Sequence, residues 1–167
     1  GAANMVTGLA TAMMDSVPII CITGQVPRPA IGSDAFQEMD ISGAVIPVTK
    51  HSYLVMDIKD LAKTIKEAFV IARSGRPGPV LIDIPKDLQA ETFDFIYPKK
   101  SIVLPGENPT REDVDKTSLE EAAKLIANAE RPVILAGHGI LLSGASKEVV
   151  QLSEKGDLPL SWTLLGS

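Results

Sequence analysis

Three short aliphatic runs, each beside a turn of small or stiff residues, limit this chain more than any other feature. They are Val17-Pro18-Ile19-Ile20-Cys21-Ile22 ahead of Gly24, Val80-Leu81-Ile82 behind Pro77-Gly78-Pro79, and Pro132-Val133-Ile134-Leu135-Ala136 ahead of Gly137-His138-Gly139. Unbroken aliphatic runs of strand length belong to parallel sheets buried on both faces, which require a crossover between successive strands. The best-supported crossover lies at 58–73. There Leu61, Ile65, Ala68, Phe69 and Ala72 form one apolar stripe at helical spacing, with Asp57 placed to cap its start and Gly75 its end. Aromatic residues make up only 4% of the chain, so the core has to be aliphatic. The remaining pattern predicts helix 4–15, strand 18–22, a Gly/Pro-rich loop 23–34 and a less regular stretch 35–50. Strands follow at 51–56 and 80–84, then irregular polar chain from 88 to 114. Helix 117–129, strand 132–136, helix 145–155 and strand 158–164 complete the reading. Thr117-Ser118-Leu119-Glu120-Glu121 offers capping-box spacing at the first of these late helices.

The class is therefore α/β with parallel, three-layer sheets. At 167 residues the chain holds one domain or parts of two. Pro98-Lys99-Lys100 through Pro105-Gly106-Glu107-Asn108-Pro109 carries three prolines and no periodicity, which predicts a linker over 98–114 between units 1–97 and 115–167. A helix that opens without a preceding strand, and a strand with nothing after it, are read as the ends of a piece cut from a longer polypeptide. Sixteen basic against twenty-one acidic residues give a net charge of −5, which argues against nucleic acid and anionic lipid as partners. No apolar stretch reaches the roughly 18 residues of a membrane span. The one cysteine, Cys21, lies inside an aliphatic run and reads as a buried hydrophobe. A reducing, soluble compartment is the expectation: the cytoplasm, or a plastid if the source is a plant.

Three segments carry chemistry. Gly137-His138-Gly139 follows a strand and opens a helix, where glycines let the backbone approach a phosphate. The strict dinucleotide fingerprint is not met, and Ser161-Trp162-Thr163 stands where a ribose-binding acid would be needed. NAD is thus disfavoured, while another dinucleotide and a plain strand–helix turn both remain open. The stiff turn Gly75-Arg76-Pro77-Gly78-Pro79 fixes the direction of Arg76, and Lys86 follows the next strand's carboxyl end, where open α/β sheets bind ligands. Both cations read either as ligand contacts or as solvated loop residues. The long loop 24–38 contains Phe36 and Gln37 and the acids Asp34 and Glu38, with Asp40 just beyond. These acids read as solvated rather than as a metal cluster, and His51 and His138 are too far apart in sequence, with no cysteine partners, to suggest zinc.

Five segments in order and spacing resemble the catalytic subunit of the acetolactate synthase (acetohydroxyacid synthase) family. They are Gly1-Ala2-Ala3-Asn4-Met5-Val6-Thr7-Gly8-Leu9, Ile22-Thr23-Gly24-Gln25-Val26-Pro27, Asp34-Ala35-Phe36-Gln37-Glu38, Thr49-Lys50-His51-Ser52-Tyr53-Leu54-Val55 and Gly75-Arg76-Pro77-Gly78-Pro79-Val80. The likeness is strongest over residues 1–87 and looser beyond 100. It implies the later part of a pyrimidine-binding N-terminal domain followed by the start of a Rossmann-like, FAD-binding central domain. It implies decarboxylation of pyruvate on thiamine diphosphate and condensation of the two-carbon unit with a second 2-oxo acid. The products are 2-acetolactate or 2-aceto-2-hydroxybutyrate, on the way to valine, leucine and isoleucine. Thiamine diphosphate, Mg²⁺ and a structural FAD are the implied cofactors. A dimer or tetramer and a separate regulatory small subunit are the implied partners.

Carried over by position, the resemblance implies that Ser16 and Gln37 line the thiamine site, with Phe36 packed beside them. Lys50, Lys86, Pro27 and Ala35 fall at the substrate and inhibitor channel. Arg76, Gly137, His138, Gly139, Thr163 and Leu164 fall at FAD. The family's catalytic glutamate would lie upstream of Gly1, and its Mg²⁺ and diphosphate motif in a third domain. The 167 residues alone are therefore expected to turn nothing over. A glyoxylate carboligase or a pyruvate oxidase is the near alternative, disfavoured by Phe36-Gln37-Glu38 and Lys86. A stand-alone nucleotide-binding module is the distant one.

Overall fold

The computed structural model describes residues 1–104 and 115–166. The chain divides into two compact units, Gly1–Glu107 and Asn108–Ser167. Part of the stretch predicted as a linker, residues 105–114, lies outside the described residues.

The first unit runs α1 (Met5–Met14), β1 (Ile20–Gln25), α2 (Ile41–Ala44), β2 (His51–Leu54), α3 (Ile58–Arg73) and β3 (Val80–Pro85), with short 3-10 turns between several of them. Its sheet has the order β1-β3-β2 and every pairing is parallel. All six residues of the central strand β3 are buried, which is why Val80-Leu81-Ile82 reads as an uninterrupted aliphatic run. Alternation along β3 divides the core into two layers. Val80, Ile82 and Ile84 pack with Val55, Ala68, Ala72 and Leu88 on the α3 side. Leu81 packs with Leu9, Cys21, Ile41 and Val45 on the side of α1 and α2. Cys21 is buried as expected, and burial pushes its thiol pKa up.

Helix α3 begins and ends where its sequence signals lie. The Asp57 carboxylate accepts from the Lys59 amide at 2.9 Å, and Gly75 adopts φ +51 just past the last turn. Strand β1 is displaced from its predicted span of 18–22. Pro18 cannot donate to a ladder, and the backbone of Gly24 and Gln25 pairs with Ile84 and Pro85 instead. Helix α2 emerges from a stretch with no clear periodicity, capped by Asp40, whose carboxylate accepts from the Gly43 amide at 2.8 Å. Past β3, Lys66 of α3 donates to the carbonyls of Pro98 (2.6 Å) and Lys100 (2.8 Å) and stands 5.6 Å from the Tyr97 ring centre, holding this strap along the helix.

The second unit comprises α4 (Lys116–Ala127), β4 (Ile134–Ala136), α5 (His138–Ser143), α6 (Ser146–Gly156) and β5 (Leu160–Trp162). Strands β4 and β5 are parallel, Ala136 opposite Trp162. Helix α4 starts earlier than the Thr117–Glu121 capping box proposed. Asp115 is its cap, accepting from the amides of Thr117 (3.2 Å) and Ser118 (3.1 Å), because a carboxylate satisfies two orphan donors where a hydroxyl satisfies one.

Leu81 is fully buried at the centre of the α1-side core. Replacing it by alanine is expected to cost about 3 kcal/mol, read from the urea midpoint at unchanged slope.

Candidate functional site

On the α1 side of the sheet, the column of side chains changes character along the strands. Cys21 and Leu81 face each other in register and are apolar; one step on, Thr23 faces Asp83. Asp83 is fully buried. Its carboxylate accepts from the Thr23 hydroxyl at 2.7 Å and from Gln25 Nε2 at 2.9 Å. Burial pushes the Asp83 pKa up, opposed by these two hydrogen bonds and assisted by the nearby charge of Asp40. Gln25 closes the row at the carboxyl edge. Its Nε2 also donates to the Met39 carbonyl at 2.6 Å, and its Oε1 accepts from the Val26 amide at 2.9 Å.

Above Gln25 opens a cleft of about 500 Å³, whose walls include Pro27, Phe36, Gln37, Glu38 and Lys86. Two adjacent parallel strands, β1 and β3, end at its floor, the position at which open α/β sheets bind ligands. The Lys86 amide donates to the Gln25 carbonyl at 3.0 Å, which fixes where the exposed Lys86 side chain leaves the backbone.

The loop forming the outer wall is clamped at both ends. Near its start, the Arg28 guanidinium bonds Asp87 at 2.7 Å, also pairs with Glu91, and donates to the Met56 carbonyl at 3.0 Å. The Arg28 amide and guanidinium hold the Asp87 carboxyl below the usual carboxylate range. Toward its end, the Glu38 carboxylate accepts from the amides of Gly32 and of Ala35 (2.9 Å), and these amides hold its pKa down. Glu38 and Asp40 are thus loop and helix caps rather than merely solvated acids. Between the clamps, Asp34 and Gln37 adopt φ of +55 and +67, conformations that cost a non-glycine residue free energy and persist only where the surroundings impose them. The outcome is a tip that presents Phe36, 89% exposed, and Gln37 over the cleft.

Pro27, Phe36, Gln37 and Lys86 are therefore brought together, with Ala35 beside them in the loop. Two expected members are not. Ser16 precedes β1 and lies at the amino edge of the sheet, away from Gln37. It has φ +60, and its hydroxyl accepts from Arg76 Nε at 2.9 Å. The remaining Arg76 bonds go to the carbonyls of Met13 (3.2 Å) and Met14 (2.7 Å), so the guanidinium caps the end of α1. Lys50, just ahead of β2, is at that same edge rather than beside Lys86. Its ammonium is held by the Ile71 carbonyl and by the carbonyl and hydroxyl of Ser74 at the end of α3. Burial pushes its pKa down. Both cations sit at the carboxyl end of a helix, where the helix dipole favours positive charge. Gly78 admits the Lys50 stem: a Cβ there would meet Lys50 Cγ at 3.0 Å and Met13 Sδ at 3.2 Å.

In the second unit, Gly137 caps α5 and Thr163 follows β5. The Thr163 amide donates to the Ala136 carbonyl at 2.9 Å, so the Gly137-His138-Gly139 turn and Thr163-Leu164 leave neighbouring strands at one edge of that sheet. Among the described residues, no group of three or more His, Cys, Asp or Glu side chains could hold a metal ion, and no helix is long and apolar enough to cross a membrane.

Residues 1–44 match the family model described as the N-terminal TPP binding domain of thiamine pyrophosphate enzymes, and residues 119–167 match the one described as their central domain. The chain belongs to the thiamine pyrophosphate enzymes. It is 49% identical over 166 residues to the acetolactate synthase large subunit of Parasynechococcus marenigrum. It is 48% identical over 167 residues to the acetolactate synthase of Arthrospira platensis, and 49% over 168 to a probable acetolactate synthase large subunit of Methanocaldococcus jannaschii. Each match takes in 99% of this thiamine pyrophosphate enzyme chain but only 27% to 29% of the relative.

The Glu38 clamp has a pH signature. A carboxyl with a depressed folded pKa contributes order that is present above its ordinary value of 4.5 and is lost as pH falls through the folded value. The amide resonances of Gly32 and Ala35 should accordingly shift only as pH drops below 4.5, and Glu38→Gln should abolish that titration.

Proposed function

We propose that this chain is part of an acetolactate synthase large subunit. That enzyme decarboxylates pyruvate and joins the two-carbon unit to pyruvate or 2-oxobutyrate, yielding 2-acetolactate or 2-aceto-2-hydroxybutyrate for branched-chain amino acids. The observation that carries the reading is the cleft at the carboxyl edge of β1 and β3, which gathers Phe36, Gln37 and Lys86 from two distant segments. Relatives at 48% to 49% identity along nearly the whole chain, bearing that name, support it.

The cleft suits a flat heterocycle with polar substituents. Phe36 offers an apolar plate, Gln37 an amide that can donate and accept, and Gln25 a fixed polar floor. Thiamine diphosphate, when bound, supplies the electron sink for decarboxylation. The chain's own residues then have distinct tasks. Gln37 hydrogen-bonds near the reacting carbon, Phe36 packs against the ring and excludes water, and Lys86 draws the carboxylate of the 2-oxo acid to the cleft mouth. Pro27 and Ala35 shape the approach. Mg²⁺ is assigned to none of the described residues. FAD is assigned to the turn at Gly137, His138 and Gly139 and to Thr163 and Leu164, which leave neighbouring strands at one edge of the second unit's sheet. Assembly as a dimer or tetramer with a regulatory small subunit belongs to the same proposal.

A chimera in which these 167 residues replace the matching segment of the Parasynechococcus large subunit should form acetolactate from pyruvate; a folded chimera producing none would defeat the reading. Within it, Gln37→Ala is expected to lower kcat by about a hundredfold with little change in KM. Lys86→Met should act chiefly by raising KM for pyruvate.

A further inference from the structure

The buried carboxylate of Asp83 has no task in the reading above, although burying one is costly and a strand centre is an unusual place for it. Both of its oxygens accept, one from Thr23 and one from Gln25. The Gln25 side chain is fully committed in turn. One Nε2 hydrogen goes to Asp83, the other to the Met39 carbonyl, and Oε1 takes the Val26 amide. Turning this amide over would set Oε1 against a carboxylate and a carbonyl, so Asp83 permits only one orientation. In that orientation Gln25 is both the floor of the cleft and the tie that holds Met39, two residues beyond the strained Gln37. Arg28 and Glu38 clamp the loop from the solvent side, where screening weakens charge pairs. The Asp83–Gln25–Met39 tie reaches the same loop from the protein interior.

We infer that Asp83 is a positioning residue: through Gln25 it sets the height and angle of the loop that presents Phe36 and Gln37 to the cleft. The inference rests on the proposed function for its kinetic consequence, but its geometric consequence is independent of any activity. A merely structural Asp83 would affect stability in the same way as its other partner, Thr23, and the two roles separate on that point. Asn at position 83 could still accept from Gln25 while donating to the Thr23 hydroxyl, whereas Leu could do neither.

The test compares Asp83→Asn, Asp83→Leu, Gln25→Met and Thr23→Val in the purified full-length protein. It reads amide hydrogen exchange over residues 26–39 and steady-state kinetics with pyruvate at saturating thiamine diphosphate and Mg²⁺. Asp83→Leu and Gln25→Met should each speed exchange of the loop by about fivefold or more and lower kcat/KM by about tenfold or more. A variant carrying both Asp83→Leu and Gln25→Met should be no worse than the poorer of the two single ones, since both break the same tie. Asp83→Asn should stay close to wild type in both readouts. Thr23→Val should lower Tm while leaving loop exchange and kcat/KM unchanged. Unchanged loop exchange in Gln25→Met overturns the inference, as does a Thr23→Val variant that loosens the loop as much as Asp83→Leu. Should Asp83→Leu fail to fold, Gln25→Met and Asp83→Asn decide. A wild-type protein that makes no acetolactate defeats the proposed function, while the exchange comparison still decides this inference.

Discussion

Strand β3 is buried along its whole length, and the packing of the first unit is organised around that fact. A strand with no exposed face must find apolar partners on both sides, so helices lie on both faces and the sheet is parallel. Val80, Ile82 and Ile84 satisfy one side and Leu81 the other. Asp83 is the exception, and its register opposite Thr23 with Gln25 one step beyond makes the exception tolerable. The same burial that fixes the fold therefore fixes a polar floor at the strand's carboxyl end.

The two edges of the sheet are used differently. At the amino edge, Lys50 and Arg76 spend their donors on the last carbonyls of α3 and α1. They join helix ends to the turns preceding the strands, and the stiff Pro77-Gly78-Pro79 turn leaves room for the Lys50 stem. At the carboxyl edge, Lys86 is exposed and the loop amides are gathered by Glu38. At the amino edge two cations tie helix ends to the sheet, while at the carboxyl edge the Arg28 and Glu38 clamps hold a loop around an open cleft.

Much of this is legible in the residues. The stripe from Leu61 to Ala72, the Asp57 cap and the Gly75 terminator define α3, because helical spacing and end signals are local. Phe36, Gln37 and Lys86 are legible as a group only through the family resemblance; the structure places them around one cleft. Ser16 and Lys50 lie apart from the Gln37 cleft. Each adjoins the amino end of a strand, and which sheet edge a residue occupies follows from strand direction, not from a likeness of motif. Gln25, Arg28 and Asp83 belong to no local motif; the one signal they leave in the sequence is an acid inside the aliphatic run Val80-Leu81-Ile82-Asp83-Ile84. Its meaning depended on the pairing with β1, some sixty residues away in the chain.

The sequence by itself determined the α/β class, the aliphatic core, the principal helix and the chemistry available to the loops, since hydrophobic period and capping act over a few residues. Only the tertiary structure decided which loops share an edge, where β1 ends, and that one buried carboxylate orients the cleft floor. Those outcomes depend on register between strands distant in the chain, and register is set when two strands pair rather than by either alone.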